Sequence, residues 1–255
     1  MPEGWSDQDP KFWFLVTGLD PEKMTEAEVC RWRPIVQQFL ADQTARRAAR
    51  PEQARFQAQD VVCKTHNAVA VLDGFPTINQ SVTRKAVYLV RDPRDVAVSW
   101  SAFYGESLDT AIDRMAHPKN KIENPPYAMF HHLGTWSSHV ESWSGAHRIK
   151  FEDLVSAPLL TFRRFLKAFG IDANVARAQR AISHCTFDKL RAMEGTEGFK
   201  EANKGRFFRS GVVGQWRTAL TADQVRRIEE AHGPVMRSLG YETVSDLPPP
   251  ASLVA

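Results

Sequence analysis

The chain has 255 residues, enough for one α/β core of ordinary domain size. Its 33 Lys and Arg nearly balance its 30 Asp and Glu, for a formal charge of +3, which argues against nucleic-acid binding, where a strongly basic face is the norm. Cys30, Cys63 and Cys185 are odd in number and widely spaced, so reduced thiols and a cytoplasmic setting are expected; no leader pattern opens the chain, and no apolar run nears the ~20 residues of a membrane span.

Residues 1–23 are polar, with Trp5, Phe12, Trp13 and Phe14 interspersed. Thr25-Glu-Ala-Glu28 fits a capping box and opens a helix bearing Val29, Trp32, Ile35, Val36, Phe39 and Leu40. Pro34 is expected to bend or restart it. Residues 41–55 are Arg-rich and read as a solvated surface. Asp60 to His66 signals a strand, with Val61, Val62 and Cys63 apolar and Lys64, Thr65 and His66 at its C-terminal end. Gly74 to Pro76 marks a loop.

The segment Lys85 to Trp100, KAVYLVRDPRDVAVSW, reads as a strand running straight into a capped helix. Val87 to Val90 is a short apolar run, as expected of a strand buried on both faces. Asp92 can cap the helix, Pro93 suits its first turn, and Asp95 sits three residues after the cap. Phe103 and Tyr104 continue an aromatic patch, and Leu108 to Met115 reads as a short helix. Residues 117–126 are expected to be a loop, and a helix is expected from Tyr127 to Trp143 with His132 and His139 on one face.

His147 to Phe151 is a further strand, ending in Glu152-Asp-Leu154. Pro158 opens a helix stopped by Gly170. Helices follow from Asn174 to Ser183 and on to Met193, then a polar, glycine-containing loop over 194–208. Thr221 caps a last amphipathic helix with Val225, Ile228, Val235 and Leu239 inward, closed by Gly240. Residues 245–255, with three prolines, read as a disordered tail. No repeat or internal boundary is visible, so one domain over 1–244 is expected.

Four clusters carry chemistry. At the first, Lys64-Thr-His66, a histidine can act as a base near neutral pH and a lysine can hold a transferring anion. At the second, Arg91 supplies a cation where open α/β sheets bind ligands, helix N-terminal amides favour anions, and Ser99 adds a hydroxyl two turns on. The third is Arg209-Ser-Gly-Val-Val-Gly214-Gln-Trp216-Arg217, whose glycines let backbone amides approach a phosphate. The fourth is Cys185-Thr-Phe187, whose ring can stack on a base. Each has a plain structural alternative: a strand-end histidine, a surface salt bridge, a surface turn and a core phenylalanine. His131, His132 and His139 lack a carboxylate to complete a metal set. No GxxxxGK[ST] occurs, which disfavours an ordinary P-loop hydrolase.

Together these clusters resemble the cytosolic-type sulfotransferases that use 3′-phosphoadenosine 5′-phosphosulfate (PAPS). YLVRDPRDVAVSW looks like that family's 3′-phosphate segment, and KTH at 64–66 resembles its Lys-Thr-His element. KFEDL at 150–154, HCTF at 184–187 and FFRSGVVGQWR at 207–217 resemble three further segments, in the family's order. The resemblance implies a P-loop-NTPase-like three-layer α/β fold, with a central parallel sheet flanked by helices.

It also implies roles. Arg91 and Ser99 would bind the 3′-phosphate, with Arg209, Ser210 and the Gly211 amide completing the pocket. Phe187 would pack on adenine. His66 would take the proton from an acceptor hydroxyl or amine, and Lys64 would help hold the sulfuryl group. PAPS is the implied co-substrate, adenosine 3′,5′-bisphosphate (PAP) the product, and a small molecule the acceptor, with no metal, nucleic acid or membrane. Phe151 stands where the family has tyrosine, and Ser210 where it has lysine. The family's first, central strand and its Pro-Lys-Ser-Gly-x-Thr-Trp loop are not found, and Pro10-Lys-Phe-Trp13 does not match that loop. The expectation is therefore a chain that begins after the loop, with unpaired strand edges and doubtful transfer activity. The alternative is an inactive nucleotide-phosphate-binding or interaction module that retains only the 3′-phosphate pocket.

Overall fold

The computed structural model describes residues 5–48, 62–124, 128–171, 174–197 and 207–244. The elements begin with β1 (Trp5–Ser6), α1 (Pro10–Thr17), a short 3₁₀ turn, α2 (Glu26–Ala48), β2 (Cys63–Lys64), β3 (Val71–Leu72) and β4 (Phe75–Pro76). Next come β5 (Val87–Val90), α3 (Pro93–Tyr104), α4 (Leu108–Ala116), β6 (Lys121–Asn124), β7 (Ala128–His132), α5 (Trp136–Ser142) and β8 (His147–Lys150). The rest is helical: α6 (Phe151–Ser156), α7 (Pro158–Ala168), α8 (Val175–His184), α9 (Phe187–Glu197), α10 (Trp216–Ala219) and α11 (Ala222–Ser238). The described residues group into two compact units, one within 1–86 and 118–144, the other within 87–117 and 145–255.

In the first unit β1 pairs in parallel with β2, with Ser6 opposite Lys64, while β3–β4 and β6–β7 pair antiparallel. Its core gathers Phe12, Trp13, Val29, Val36, Leu40 and Met129. Helix α2 starts from the expected capping box: Thr25 N–H donates to Glu28 Oε2 at 2.8 Å and Glu28 N–H to Thr25 Oγ1 at 3.3 Å. Pro34 lies inside this helix, which continues past it rather than restarting.

In the second unit β5 and β8 pair in parallel, Val87 opposite His147 and Val90 opposite Lys150. Asp92 caps α3 by accepting from Arg94 N–H, and Pro93 sits in the first turn, as the sequence indicates. Val98, Trp216 and Val225 form a core with Leu108 and Leu220. The capping box at Thr221 and Gln224 starts α11, whose Val225, Ile228, Val235 and Met236 are buried.

The α/β class holds, with parallel strand pairs and helical connections, and several local expectations are corrected. Residues 121–124 form a strand rather than a loop, paired with Ala128–His132, which forms a strand rather than a helix. Burial in β7 alternates, with Met129 and His131 inward. The inward histidine hides the period-2 pattern from a reading based on apolar residues. Gly134, at φ +67°, then breaks the chain before Thr135 caps α5, and a Cβ there would lie 2.8 Å from Ser138 Oγ. His132 and His139 therefore lie on different elements.

Third, Val87–Val90 is not buried on both faces, since Leu89 is 63 % exposed and Val90 alone is buried. Fourth, residues 194–197 belong to α9 rather than to a loop, and Phe151–Ser156 is a helix. The expected loop over 198–206, the tail over 245–255 and the strand start at Asp60 and Val61 lie outside the described residues. Among the described residues, no helix is long and apolar enough to cross a membrane.

Candidate functional site

In the first unit, the short parallel pairing of β1 with β2 brings Asp7 beside the Lys64–His66 segment. Asp7 N–H donates to the Lys64 carbonyl at 3.3 Å, and Ser6 Oγ donates to the same oxygen at 3.3 Å. Lys64 is exposed and His66 half-buried. The His66 carbonyl accepts from His139 Nε2 at 3.0 Å, and its ring stands edge-on to that of His131 at 6.0 Å between centroids. The His66 imidazole has no hydrogen-bond partner among the described residues. Burial, then the Lys64 charge, pushes its pKa down to about 3, so the ring is a neutral base at neutral pH.

In the second unit the site is the corner where β5 enters α3. Asp95, 1 % exposed, is its organiser. Its two carboxylate oxygens accept from Gly214 N–H at 2.7 Å and Trp216 N–H at 3.0 Å, fastening the 207–216 loop onto the first turn of α3. Arg91 lies 3.6 Å from the same carboxylate, and its Nη2 donates to the Val212 carbonyl at 3.0 Å. The guanidinium sits 4.5 Å over the Phe151 ring. At this position the aromatic face, which a tyrosine would also offer, is what the arginine uses.

The corner is braced from behind. Arg94, 4 % exposed, spans Asp92 at 2.6 Å and Glu229 at 2.8 Å, with its guanidinium 3.9 Å over the Trp216 ring. Glu152 accepts from the Asp92 N–H at 2.9 Å and from the Tyr241 hydroxyl at 3.0 Å. Burial, then the Glu152 charge, holds the Tyr241 pKa far above the ordinary phenol value, so the hydroxyl stays a donor.

The loop meets Phe187 at Gly211. Gly211 has φ +64°, and a Cβ there would lie 2.5 Å from Phe187 Cδ2. Phe187 in turn stands edge-on to Phe208 at 6.3 Å. Arg209 donates through Nη2 to Gln215 Oε1 at 2.9 Å and remains exposed. Ser210 is half-buried, and Ser99 is exposed on α3. The structure thus joins Arg91, Gly211 and Phe187 through one loop, with Arg209 and Ser210 on it. Among the described residues, no hydrogen bond joins Ser99 to that group. Lys64 and His66 belong to the other unit.

Among the described residues of the second unit, two buried donors are without partners: Arg91 Nε and Trp100 Nε1. Buried polar groups are normally paired, so such orphans mark places where a ligand's acceptors are expected. The orphaned Arg91 Nε and the close backbone approach at Gly211 fit an anionic group carried on a planar ring. Sequence reasoning missed Asp7, Arg33 and Glu229, whose partners are far away along the chain. It placed Asp95 only as a helix-start residue, yet an acidic residue in the first turn after Arg91 is the signal that marks it.

A parallel strand, an arginine at its C-terminal end, a capped helix and a glycine-bearing loop over that helix define the strand–helix corner of an α/β protein, the kind of corner at which open α/β sheets bind ligands. The sulfotransferase-domain family model matches residues 11–240, and the chain belongs to that family. Cytosolic sulfotransferase 16 of Arabidopsis thaliana is 26 % identical over 166 residues, covering 57 % of this chain and 48 % of that protein. Sulfotransferase 1A1 of Canis lupus familiaris is 26 % identical over 195 residues, covering 69 % of this chain and 62 % of that protein. The chain spans about half the length of the plant relatives it matches, Cytosolic sulfotransferase 17 included, at 47 %.

Among solved structures, mouse sulfotransferase SULT7A1 complexed with PAP aligns with a TM-score of 0.54 and 20 % identity, covering 69 % of this chain and 65 % of that one. Retinol dehydratase in complex with androsterone and the inactive cofactor PAP aligns with a TM-score of 0.51 and 21 % identity, covering 84 % and 63 %. These likenesses establish the fold.

Proposed function

We propose that the protein acts in sulfuryl transfer from PAPS to a hydroxyl or amine of a small acceptor. Arg91, Ser99, Phe187, Arg209, Ser210 and Gly211 hold the nucleotide, and Lys64 and His66 serve the reacting end. The observation that carries the reading is the strand–helix corner, where Arg91 keeps a buried Nε that is unpartnered among the described residues, beside a loop whose Gly211 presses on Phe187. The solved structures of this fold hold PAP, and one also holds androsterone, which supports the same donor and a small-molecule acceptor. Relatives named cytosolic sulfotransferases support a cytoplasmic site of action.

In this reading His66, neutral at physiological pH, accepts the acceptor's proton as its heteroatom bonds to sulfur. The sulfur's bond to the 5′-phosphate oxygen breaks, and that oxygen leaves with the electron pair. Lys64 balances the negative charge on the transferring group, and that charge in turn raises the proton affinity of His66. Catalysis of this kind is positioning and charge stabilisation.

A second reading rests on one sequence observation. No Pro-Lys-Ser-Gly-x-Thr-Trp segment occurs within the 255 residues. The lysine and amide cradle of that segment would grip the sulfate end, and loss of even one preorganised donor costs ~10²–10³ in rate. On this reading the chain binds the 3′-phosphate end and transfers little. Calorimetric titration with PAP and a [³⁵S]-PAPS transfer assay separate the two. Binding with transfer supports the first reading and binding without transfer the second. An absence of binding overturns the nucleotide-site assignments.

A further inference from the structure

We infer that the buried carboxylate of Asp7 is the positioning residue of the Lys64–Thr65–His66 segment, an inference that rests on the sulfotransferase reading of that segment. Asp7 is fully buried. Its Oδ2 accepts from three directions: Arg33 Nη1 at 2.9 Å, Gln37 Nε2 at 3.0 Å and Thr65 Oγ1 at 3.1 Å. His131 Nε2 faces Oδ1 at 3.3 Å, and the Asp7 carbonyl accepts from Trp13 Nε1 at 2.8 Å. Arg33, 1 % exposed, also donates to the Phe130 carbonyl and packs 5.2 Å from the Trp13 ring. One carboxylate oxygen therefore ties α2 to the hydroxyl between Lys64 and His66.

Neutralising Arg33 needs only one of these contacts. The others extend along the segment. Thr65 Oγ1 accepts from Asn67 N–H at 3.2 Å and from its Nδ2 at 3.3 Å. Asn67 Oδ1 accepts from His132 N–H at 3.0 Å, and the Asn67 carbonyl from Trp143 Nε1 at 3.0 Å. The carbonyls of Lys64 and His66 are held as well, by Asp7 N–H and His139 Nε2. Every residue from 64 to 67 is thus anchored by its backbone or side-chain polar atoms, while the His66 imidazole makes no hydrogen bond among the described residues. This is the arrangement of a side chain presented for proton transfer, with its mobility removed beforehand.

The test compares the intact chain with Asp7→Asn, Thr65→Val and Thr65→Ser. Asp7→Asn strands a buried Arg33 and endangers folding, so the milder Thr65 pair keeps the test decisive. Amide hydrogen exchange is read at Thr65 to Asn67 and along α2, and the His66 ring resonances are recorded by NMR. Thr65→Val is expected to speed exchange at Thr65 to Asn67 by about tenfold, the loss of one net hydrogen bond, and to shift or broaden the His66 signals. Amides from Val29 to Leu40 keep their rates, and Thr65→Ser restores both readouts. Where transfer is measurable, Thr65→Val lowers kcat and leaves KM for the donor unchanged.

Unchanged exchange, acceleration spread evenly over α2, or a serine variant that behaves like the valine one would overturn the inference. PAP affinity is measured alongside. Its absence in the unaltered chain defeats the sulfotransferase reading, while the contrast between the two Thr65 variants still decides the role of Asp7.

Discussion

Replacing Gly211 by alanine tests the contact between the loop and Phe187. The perturbation has two parts. Gly211 has φ +64°, a left-handed conformation that costs an ordinary residue about 1–2 kcal/mol. The new Cβ also falls 2.5 Å from Phe187 Cδ2 and 2.8 Å from Cε2. Carbon atoms rest about 3.5–4.0 Å apart, so the ring must retreat by about 1 Å. Overpacking of this kind costs about 1–3 kcal/mol. Together the variant loses about 2–5 kcal/mol out of a typical total of 5–15 kcal/mol. The displaced ring is the one assigned to adenine, so PAP affinity falls by at least about tenfold, since each 1.4 kcal/mol is one decade. Urea unfolding and calorimetric titration give both numbers. Gly195 in α9 is the control: nothing lies within 4 Å of its would-be Cβ, and alanine there is expected to add up to about 1 kcal/mol and leave PAP affinity unchanged. A Gly211→Ala protein with unaltered stability and affinity would refute both the backbone strain and the role given to Phe187.

Asp95→Asn replaces the charged acceptor of two backbone amides and is expected to cost about 2 kcal/mol, read from the urea midpoint; an unshifted midpoint removes Asp95 as the organiser of the loop. His66→Ala is expected to abolish any sulfuryl transfer and to leave PAP binding intact, checked by the radioactive assay and titration; undiminished turnover removes His66 as the base. The pH dependence of stability follows from histidines that fold in neutral form. His66 is pushed down to about 3 and His232 to about 4, burial being the first cause in each. A depressed folded pKa means that the unfolded chain binds more protons, so stability is full above the ordinary value of 6.5 and falls as pH drops from there toward 4. The slope approaches 1.4 kcal/mol per pH unit for each group. Asp7 adds a loss below about pH 4, since the Arg33 charge and the hydrogen bonds from His131 and Gln37 outweigh burial and hold its carboxyl below the usual range. Unfolding free energies at pH 7, 6 and 5 check this, and His66→Gln is expected to flatten the slope by one group; an equal slope in that variant contradicts the assignment.

What the sequence made legible is what neighbouring residues decide. The corner from Val87 to Tyr104 is built from local signals: an apolar run, a cap at Asp92, a proline in the first turn. The structure reproduces each of them. The capping box at Thr25 and the Gly240 end of α11 are of the same kind. The antiparallel pairing of β6 with β7 is not, because its register shifts between the Ile122–His131 and Asn124–Ala128 pairs, and the inward position is filled by a polar ring. Asp7 is the extreme case. Its carboxylate meets Arg33, Thr65 and His131, which lie 26, 58 and 124 residues away. A lone aspartate in a polar N-terminal stretch carries no local mark of such partners.

Leu89 shows where a local pattern promises more than the described fold delivers. An apolar run of this type is the signature of a parallel strand covered on both faces. Among the described residues β5 pairs with β8 alone, and Leu89 is 63 % exposed. The backbone register of the strand does not depend on that cover. Its C-terminal end is fixed by contacts within the unit: Glu152 on the Asp92 amide, Arg94 between Asp92 and Glu229, and Asp95 on the Gly214 and Trp216 amides. Each is charge-assisted and buried or half-buried, the class of hydrogen bond worth the most. The anion corner therefore keeps its geometry by polar bracing at the helix start, so Leu89→Ser is expected to leave PAP affinity unchanged in a calorimetric titration. A large loss of affinity in that variant would show that the face of the strand, and not the bracing at its end, holds Arg91 in place.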